Sequence, residues 1–283
     1  MFLKRQTEGS VLCTSCGVLV GVKDETCYNC GRRNPGLWGY GPAFRRLGND
    51  MGFVPLVIGA CVGLYALALL LSRSNMQMML APSTEILFLL GASGAVPVFG
   101  YGRWWTVLTA GWLHAGVLHI LFNVLWLRQL APATADLYGA GRMIIIYTVS
   151  SVTGFTLSTL AGAYLYWMPI PFLRGAQFTV GASAAIFGLL GALVYYGRRT
   201  GSSHAGSQAL MYAAVLGVFG LIFPGVDNYA HLGGFLGGYG AALVMDPLKP
   251  ERIDHLAAAV VCLVLSAGAI ILSFVTALPL LLG

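Results

Sequence analysis

Two short stretches of the chain carry nearly the same letters, GASGA at 91–95 and GASAA at 181–185. Each contains a serine, Ser93 or Ser183, among small residues, as a nucleophile would require. A serine hydroxyl is a weak nucleophile until a neutral imidazole takes its proton during attack. The neighbours of the two serines therefore decide which of them is a candidate for chemistry.

The surroundings of the two serines predict different local structures. Ser93 is followed within a few residues by Gly94 and Pro97, which favours turns. Ser183 opens an unbroken apolar run, which predicts a helix that begins near Phe178 and has Ser183 about 7 Å from its start. A lone serine in such a helix commonly bonds the carbonyl one turn back, so a nucleophilic role requires a partner.

Histidine is the only candidate base that the apolar segments offer. They contain no lysine, which excludes a Ser–Lys mechanism, and Asp and Glu fall in loops or at boundaries. His231 opens one apolar segment, and His114 and His119 lie in another, within HAGVLHILFN. His204 and His255 lie in polar segments and are expected to be solvated.

The composition is that of a polytopic membrane protein. The 283 residues are 57% hydrophobic and 9% charged, whereas an ordinary soluble domain is about a quarter charged. The mean hydropathy is +0.77, and apolar runs of about 20 residues suffice to cross the roughly 30 Å hydrocarbon layer. Seven spans are predicted, at 53–72, 107–130, 142–166, 178–197, 208–224, 229–246 and 256–281.

Positive charge is distributed unequally between the two sides of the predicted bundle. If the spans alternate in direction, 13 of the 16 Lys and Arg residues lie on the side of the amino terminus. Because cytoplasmic loops carry such an excess, the amino terminus is predicted inside and the carboxyl terminus outside. The net charge of +6 is largely this bias, so nucleic acid is not an expected partner. The first apolar run begins only at Phe53, so no cleaved signal peptide is predicted.

The predicted topology brings Ser183 and His231 to the same depth. Both lie early in spans that run from outside to inside, near the outer face. Small residues let helix backbones approach until short side chains bond across. Both predicted helices contain such small residues. They include Gly181 and Gly188 in the segment with Ser183, and Gly234 and Gly238 in the segment with His231. A Ser–His pair donated by two helices is therefore expected.

Other side chains extend this predicted site. Phe187, one turn after Ser183, is placed to stack on the imidazole, and Asp227, four residues before His231, is left open as an orienting carboxylate. His119 and Asn123 are four residues apart, hence on one helix face, and offer N–H groups to an oxyanion. The alternative role for Asn123 is a hydrogen bond between helices.

Four of the six cysteines form two CxxC pairs ten residues apart: Cys13, Cys16, Cys27 and Cys30. Two such knuckles supply the four thiolates of a tetrahedral zinc site, and two disulfides are the alternative. The charge distribution places this segment in the reducing cytoplasm, which favours metal. A site with four cysteine ligands has no open position for substrate, so the predicted zinc is structural.

Taken together, these motifs resemble those of the rhomboid family of intramembrane serine proteases. The matching stretches are HAGVLHILFN, GASAAIFGLLGA and AHLGGFLGG, in that order, within residues 50–247. The resemblance implies Ser183 as nucleophile and His231 as base. It also implies an oxyanion hole of His119, Asn123 and the Ser183 backbone N–H, and His114 is expected to tie the outer loop to its helix.

The composition, the cysteine pairs and the resemblance together predict an all-α polytopic membrane fold with four parts. They are a zinc-ribbon-like head at 1–36, a linker at 37–52, a six-helix core at 53–247 and a seventh transmembrane helix at 248–283. Two departures from the family pattern stand out. Ala184 replaces the glycine after the nucleophile, and Trp105-Thr106 replaces a Trp-Arg pair in the outer loop, with Arg103 just before.

The function expected is cleavage of transmembrane or juxtamembrane segments of membrane proteins, without a catalytic cofactor. The expected location is a bacterial cell membrane, with the lipid bilayer as surroundings and the active site toward the outer face. Two alternatives stay open at this point. One is an inactive relative that binds transmembrane helices for quality control or trafficking, and the other is a transporter, although no intramembrane carboxylate or inverted repeat favours it.

Overall fold

A computed structural model of the chain describes residues 4–72, 80–170, 173–223 and 225–282. The first three residues of the predicted head, residues 73–79, 171–172 and 224 of the predicted core, and the last residue lie outside this description. Strand β1 (Ser10–Leu12) pairs antiparallel with β2 (Leu19–Gly21) in the head. The other regular structure of the described residues is helical.

The α-helices are numbered in chain order. They are α1 (Gly41–Arg45), α2 (Phe53–Leu71), α3 (Thr84–Leu90), α4 (Thr106–Thr109), α5 (Val117–Tyr138), α6 (Ala140–Tyr164), α7 (Ser183–Thr200), α8 (Ser203–Ile222), α9 (Asn228–Val244) and α10 (Ile253–Leu282).

The seven predicted spans each overlap one long helix of the described residues. Four of these helices, α2, α6, α8 and α10, are long and apolar enough to cross a membrane, and a fifth candidate appears if the bent pair that ends in α5 counts as one span. The remaining two, α7 and α9, have 18 and 17 residues. These two helices pack against each other. The predicted all-α membrane fold is confirmed, but only four or five of the seven predicted spans are helices long and apolar enough to cross a membrane among the described residues.

The second predicted span, 107–130, is wrong as a single straight helix. The chain forms α4 and a turn of 3₁₀-helix (Ala110–Trp112), then bends by 92° before α5. Leu113 and Gly116, with φ of −99° and 178°, are extended. The apolar composition continues across this break, so hydropathy alone does not reveal it. His114 therefore precedes α5, which carries His119 and Asn123.

The predicted start of the fourth span is also wrong. Helix α7 begins at Ser183, five residues after Phe178. Gly181 has a φ of +127°, a conformation that a side chain disfavours and that a continuous helix excludes. Thr179 instead pairs with Ser93 in a short antiparallel bridge. Ser183 is consequently the first helical residue rather than one buried a turn into the helix.

The core of the bundle is built around α7, whose residues from Ala184 to Val194 are all buried. It packs against α5, α6, α8 and α9. At the periphery, α10 packs along α6 and against α3 and α4, and Trp105 donates a hydrogen bond to Ser273 of α10 at 3.0 Å. Helix α7 is therefore enclosed by other helices along most of its length.

Candidate active site

The side chains of Ser183 and His231 meet at the start of α7 and α9. The Nε2 atom of His231 lies 2.9 Å from the Oγ atom of Ser183. Ser183 is the first residue of α7 and His231 is the fourth residue of α9, and both are partly exposed. This is the distance at which an imidazole accepts a proton from a serine hydroxyl.

Close packing of α7 on α9 makes this contact possible. A β-carbon on Gly234 would lie 2.0 Å from the carbonyl oxygen of Ala184, and one on Gly238 would lie 2.0 Å from that of Gly188. No larger residue fits at 234 or 238 without separating the two helices. The glycines therefore set the interhelical spacing that allows a serine and an imidazole to bond directly.

An aromatic side chain, rather than a carboxylate, contacts the His231 ring. The rings of Phe187 and His231 are nearly parallel, 14° apart, with centroids separated by 4.1 Å. The Nδ1 atom of His231 has no hydrogen-bond partner among the described residues. Asp227 caps α9 instead, because its carboxylate accepts from the Ala230 N–H at 3.0 Å and from the Ser158 hydroxyl.

The first turn of α9 is tied to three neighbouring elements by consecutive side chains. Asp227 accepts from Ser158 of α6, Asn228 donates to the carbonyl of Gly220 in α8 at 3.0 Å, and Tyr229 donates to that of Leu173 at 3.0 Å. The sequence hypothesis did not include Ser158 or Tyr229. The available signals were hydroxyl residues clustered in an apolar span and an N-capping Asp before a helix.

His119 and Asn123 lie one turn apart in the first half of α5, and His119 faces the loop that leads into α7. A β-carbon on Gly181 would lie 2.5 Å from Nε2 of His119, so this imidazole packs directly on the backbone two residues before Ser183. The Ala115 N–H points at Nδ1 of His119 at 3.5 Å, which favours the tautomer with the proton on Nε2. Asn123 is buried and donates one amide hydrogen to the His119 carbonyl at 2.9 Å.

His114 lies beside His119, although it is not part of α5. Its side chain is 1% exposed, and the two imidazole rings meet edge to face with centroids 5.2 Å apart. His114 thus connects the segment before α5 to the face that carries His119. It makes no described contact with Ser183 or His231.

Ser93 is in a different environment from Ser183. Its side chain is fully buried, and its hydroxyl lies 3.3 Å from that of Thr159 and 3.4 Å from that of Thr106. Its backbone forms both hydrogen bonds of the bridge to Thr179, at 3.0 and 2.8 Å. No imidazole among the described residues contacts Ser93, so it lacks a base.

The two departures from the family pattern have local explanations. Ala184 is fully buried and faces Gly154 of α6, where a β-carbon would lie 2.8 Å from the Ala184 methyl. The glycine on α6 provides the space that the alanine needs. Arg103 donates to the Phe88 and Leu89 carbonyls, with Leu89 at 2.9 Å, and thereby binds the carboxyl end of α3.

A second cluster lies in the head, where the four cysteines of the CxxC pairs converge. Their sulfur atoms all lie within 4.8 Å of one another, with Cys13 3.8 Å from Cys30 and Cys16 3.6 Å from Cys27. A disulfide would need about 2.05 Å. Zinc–sulfur bonds of about 2.3 Å in a tetrahedron place sulfurs about 3.8 Å apart, so the cluster fits a zinc ion.

The cysteine thiols of this cluster have different pKa values, because burial and hydrogen bonds act on them to different extents. Burial acts to raise the pKa of Cys16, but hydrogen bonds from the Val18 backbone and from Asn29 outweigh it and lower that pKa to about 6. Burial raises the pKa of Cys30 to about 12. A bound cation would displace the protons that the higher-pKa thiols retain.

Comparison with known proteins identifies the family. The rhomboid domain family matches residues 101–248. The chain is 32% identical over 190 residues to rhomboid protease GluP of Bacillus subtilis, covering 66% of this chain and 35% of that relative. It is 36% identical over 175 residues to RHOMBOID-like protein 7 of Arabidopsis thaliana, covering 60% and 52%.

A third relative is matched over most of its length. Rhomboid-like protease 3 of Toxoplasma gondii is 28% identical over 223 residues, 77% of each chain. The matched region thus covers about a third of the length of the Bacillus relative and about half of that of the Arabidopsis relative. It covers more than two thirds of the Toxoplasma relative. Because the family match covers more than half of the chain and the helices are those of a membrane protein, this protein is an integral membrane member of the rhomboid family.

Proposed function

We propose that this chain is an intramembrane serine endopeptidase in which Ser183 is the nucleophile and His231 is the general base. The observation that carries the proposal is the 2.9 Å separation of Nε2 and Oγ across the glycine-packed α7–α9 contact. Similarity to relatives named as proteases supports the reaction class. No other serine of the described residues contacts an imidazole nitrogen through its hydroxyl.

The reaction follows from the roles of the two side chains. The Ser183 oxygen attacks the peptide carbonyl carbon while His231 Nε2 takes the hydroxyl proton. The imidazolium then gives this proton to the leaving amine, and an ester to Ser183 remains. A water molecule attacks the ester with His231 again as base, which releases the carboxylate and restores the serine hydroxyl.

The negative charge that develops on the carbonyl oxygen needs hydrogen-bond donors. We assign this role to the His119 Nε2–H, the Asn123 amide and the Ser183 backbone N–H. The first α7 bond is from Ile186 to Ala182, so the Ser183 N–H has no partner within its helix, and the helix N-terminus favours a negative charge. Such donors commonly supply the largest electrostatic contribution to acyl transfer.

The orientation of the base is assigned to packing and to the anchored start of α9. Phe187 holds the ring plane, and Asp227 with Ser158 fixes the helix turn that precedes His231. We therefore class Phe187, Asp227 and Ser158 as positioning residues for a dyad that lacks a carboxylate member.

The proposed substrates are transmembrane or juxtamembrane segments of membrane proteins. A continuous substrate helix hides its carbonyls in hydrogen bonds, so segments with helix-breaking or small residues near the scissile bond are favoured. The proposed orientation has the head in the cytoplasm of a bacterial cell, the carboxyl terminus outside and the dyad toward the outer face.

The deciding experiment offers a model transmembrane substrate to the purified protein in detergent. We expect cleavage by the wild type and by Ser93→Ala, and none by Ser183→Ala or His231→Ala. Equal cleavage by all four would reject the assignment. Binding of the substrate segment without cleavage by the wild type would instead favour the inactive, helix-binding alternative.

For the head we propose one structural zinc ion held by Cys13, Cys16, Cys27 and Cys30. The sulfur separations of 3.6 and 3.8 Å support this assignment. Metal analysis of the purified protein should give one zinc per chain and a loss of zinc in Cys16→Ser. A metal content that does not differ between the two proteins would contradict it.

A further inference from the structure

The head and the helical core meet through a buried ion pair between residues far apart in the chain. Nη1 of Arg32, just after the second CxxC pair, lies 3.3 Å from Oε2 of Glu251, just before α10. Their side chains are 1% and 4% exposed. Ion pairs on protein surfaces contribute little to stability, but a pair as buried as this one is costly to break on one side only.

The core side of this contact is shaped around the Glu251 carboxylate. Its Oε1 atom accepts from the Arg142 N–H at 3.1 Å, and a β-carbon on Gly139 would lie 2.6 Å from the carboxylate carbon. Arg142 donates in turn to the carbonyls of Asp246 and Lys249 at 2.8 and 3.0 Å. The junction between α5 and α6 and the segment before α10 thus form one polar surface facing the head.

Of the two contacts from the head, one comes from within a CxxC pair and the other from the second residue after the other pair. Ser15 lies between Cys13 and Cys16, and its Oγ atom accepts from the Glu251 N–H at 3.3 Å. The carbonyl of Arg32 accepts from the Cys27 N–H at 2.8 Å, which fixes the backbone from which the guanidinium extends. The geometry of the cysteine cluster therefore determines where Ser15 and Arg32 point.

The ion pair uses only part of the Arg32 guanidinium. Nη1 contacts Glu251, whereas Nε and Nη2 are buried without a hydrogen-bond partner among the described residues. A cavity of about 720 Å³ separates parts of the two surfaces. A head of this size, with a hairpin and a small apolar cluster, needs a staple to stay ordered.

We propose that the end of the core formed by residues 138–142 and 246–251 is a docking surface for the metal-loaded head. Zinc orders both knuckles, and the ordered knuckles present Ser15 and Arg32 to Glu251. Loss of zinc releases both contacts together and exposes the segment before α10. The inference rests on the zinc site proposed above and is independent of the dyad.

The test measures amide hydrogen exchange in the purified full-length protein, with zinc content determined in parallel. The peptide of interest covers residues 248–252, since the Glu251 N–H bonds to Ser15. In the zinc-loaded wild type we expect this peptide to be protected. After chelation of zinc its exchange should accelerate at least tenfold.

Variants separate docking from metal binding. Glu251→Gln and, on the head side, Arg32→Gln should show the same acceleration while keeping one zinc per chain. The matched controls are Arg33→Gln, an exposed neighbour of Arg32, and Asp254→Asn, from the exposed ion pair with Arg252 (55% and 74% exposed). Both controls should stay within twofold of the wild type.

Three results would overturn the proposal. Unchanged exchange on chelation would mean that docking does not depend on metal. Unchanged exchange in both Glu251→Gln and Arg32→Gln would mean that the ion pair does not hold the head. If the purified wild-type protein contained no zinc, the metal-loaded head that the proposal requires would not exist. The proposed peptidase function would be unaffected by that result, because the cleavage assay on Ser183→Ala tests it separately.

Discussion

Ser93 and Ser183 occupy nearly identical five-residue stretches, yet their surroundings differ in every respect that matters for catalysis. Ser93 is fully buried between two threonine hydroxyls. Ser183 is partly exposed, begins a helix and lies 2.9 Å from an imidazole nitrogen. A Gly-x-Ser motif alone therefore does not distinguish the two serines, whereas the residues that the fold brings to each serine do.

The two stretches are also structurally linked. The backbone of Ser93 pairs with Thr179, four residues before Ser183, and the Ala95 N–H donates to the Ala176 carbonyl at 3.3 Å. The first stretch thus holds the extended segment from which α7 starts. We infer that the stretch at 91–95 supports the backbone that positions the stretch at 181–185.

The strongest test of this comparison is Ser183→Ala. It removes the hydroxyl that lies 2.9 Å from the proposed base, His231, so the cleavage rate should fall by a factor on the order of 10⁴ or more. The measurement is single-turnover cleavage of a model transmembrane substrate. Folding is checked by the thermal midpoint, because the alanine fits the same space. A rate reduced less than tenfold would contradict the assignment.

Substitution of a proposed oxyanion donor should have the next largest effect. His119→Ala removes the Nε2–H that packs on Gly181, and the rate should fall on the order of 10²- to 10³-fold, as for other single oxyanion donors. The matched control is His114→Ala, which alters the neighbouring ring without contact to Ser183 or His231. Equal losses in kcat for the two variants would indicate that both act through packing.

Sequence reasoning identified the regular parts of this fold because they depend on local composition. The apolar runs predicted the long helices to within a few residues at most ends, as for α2, predicted at 53–72 and observed at Phe53–Leu71. The family resemblance was confirmed by the rhomboid domain match. The paired CxxC motifs likewise indicated a cysteine cluster, because four ligands at fixed spacing encode their own geometry.

The errors came from contacts that are not local. The start of α7 is set by a backbone bridge to a residue 86 positions earlier, Ser93 to Thr179, and no local pattern encodes such a partner. The break before α5 falls inside a continuous apolar run, where the extended backbone of Leu113 and Gly116 interrupts the helix without a change in hydropathy. Ser158 was overlooked for the same reason, since its partner Asp227 lies 69 residues away.

A smaller effect is expected from the anchored start of α9. Ser158→Ala removes the donor to Asp227, so the turn before His231 should be held less firmly and kcat should fall about tenfold, or about 1.4 kcal/mol. The KM should stay within about twofold, because no substrate contact is removed. Ser158→Thr, which keeps the hydroxyl, should restore kcat. A change in KM alone, or no restoration by threonine, would contradict a positioning role.

The smallest effect is expected for Ser93→Ala. The hydroxyl forms two long hydrogen bonds, at 3.3 and 3.4 Å, so its loss should cost about 1 kcal/mol of stability or less. The cleavage rate should stay within about twofold of the wild type, since the bridge to Thr179 uses backbone atoms that alanine retains. Thermal unfolding and single-turnover cleavage of the same preparation provide the two measurements. A large loss of rate with unchanged stability would contradict the expectation that the Ser93 hydroxyl is dispensable for cleavage, because its hydrogen bonds to Thr159 and Thr106 do not reach Ser183 or His231.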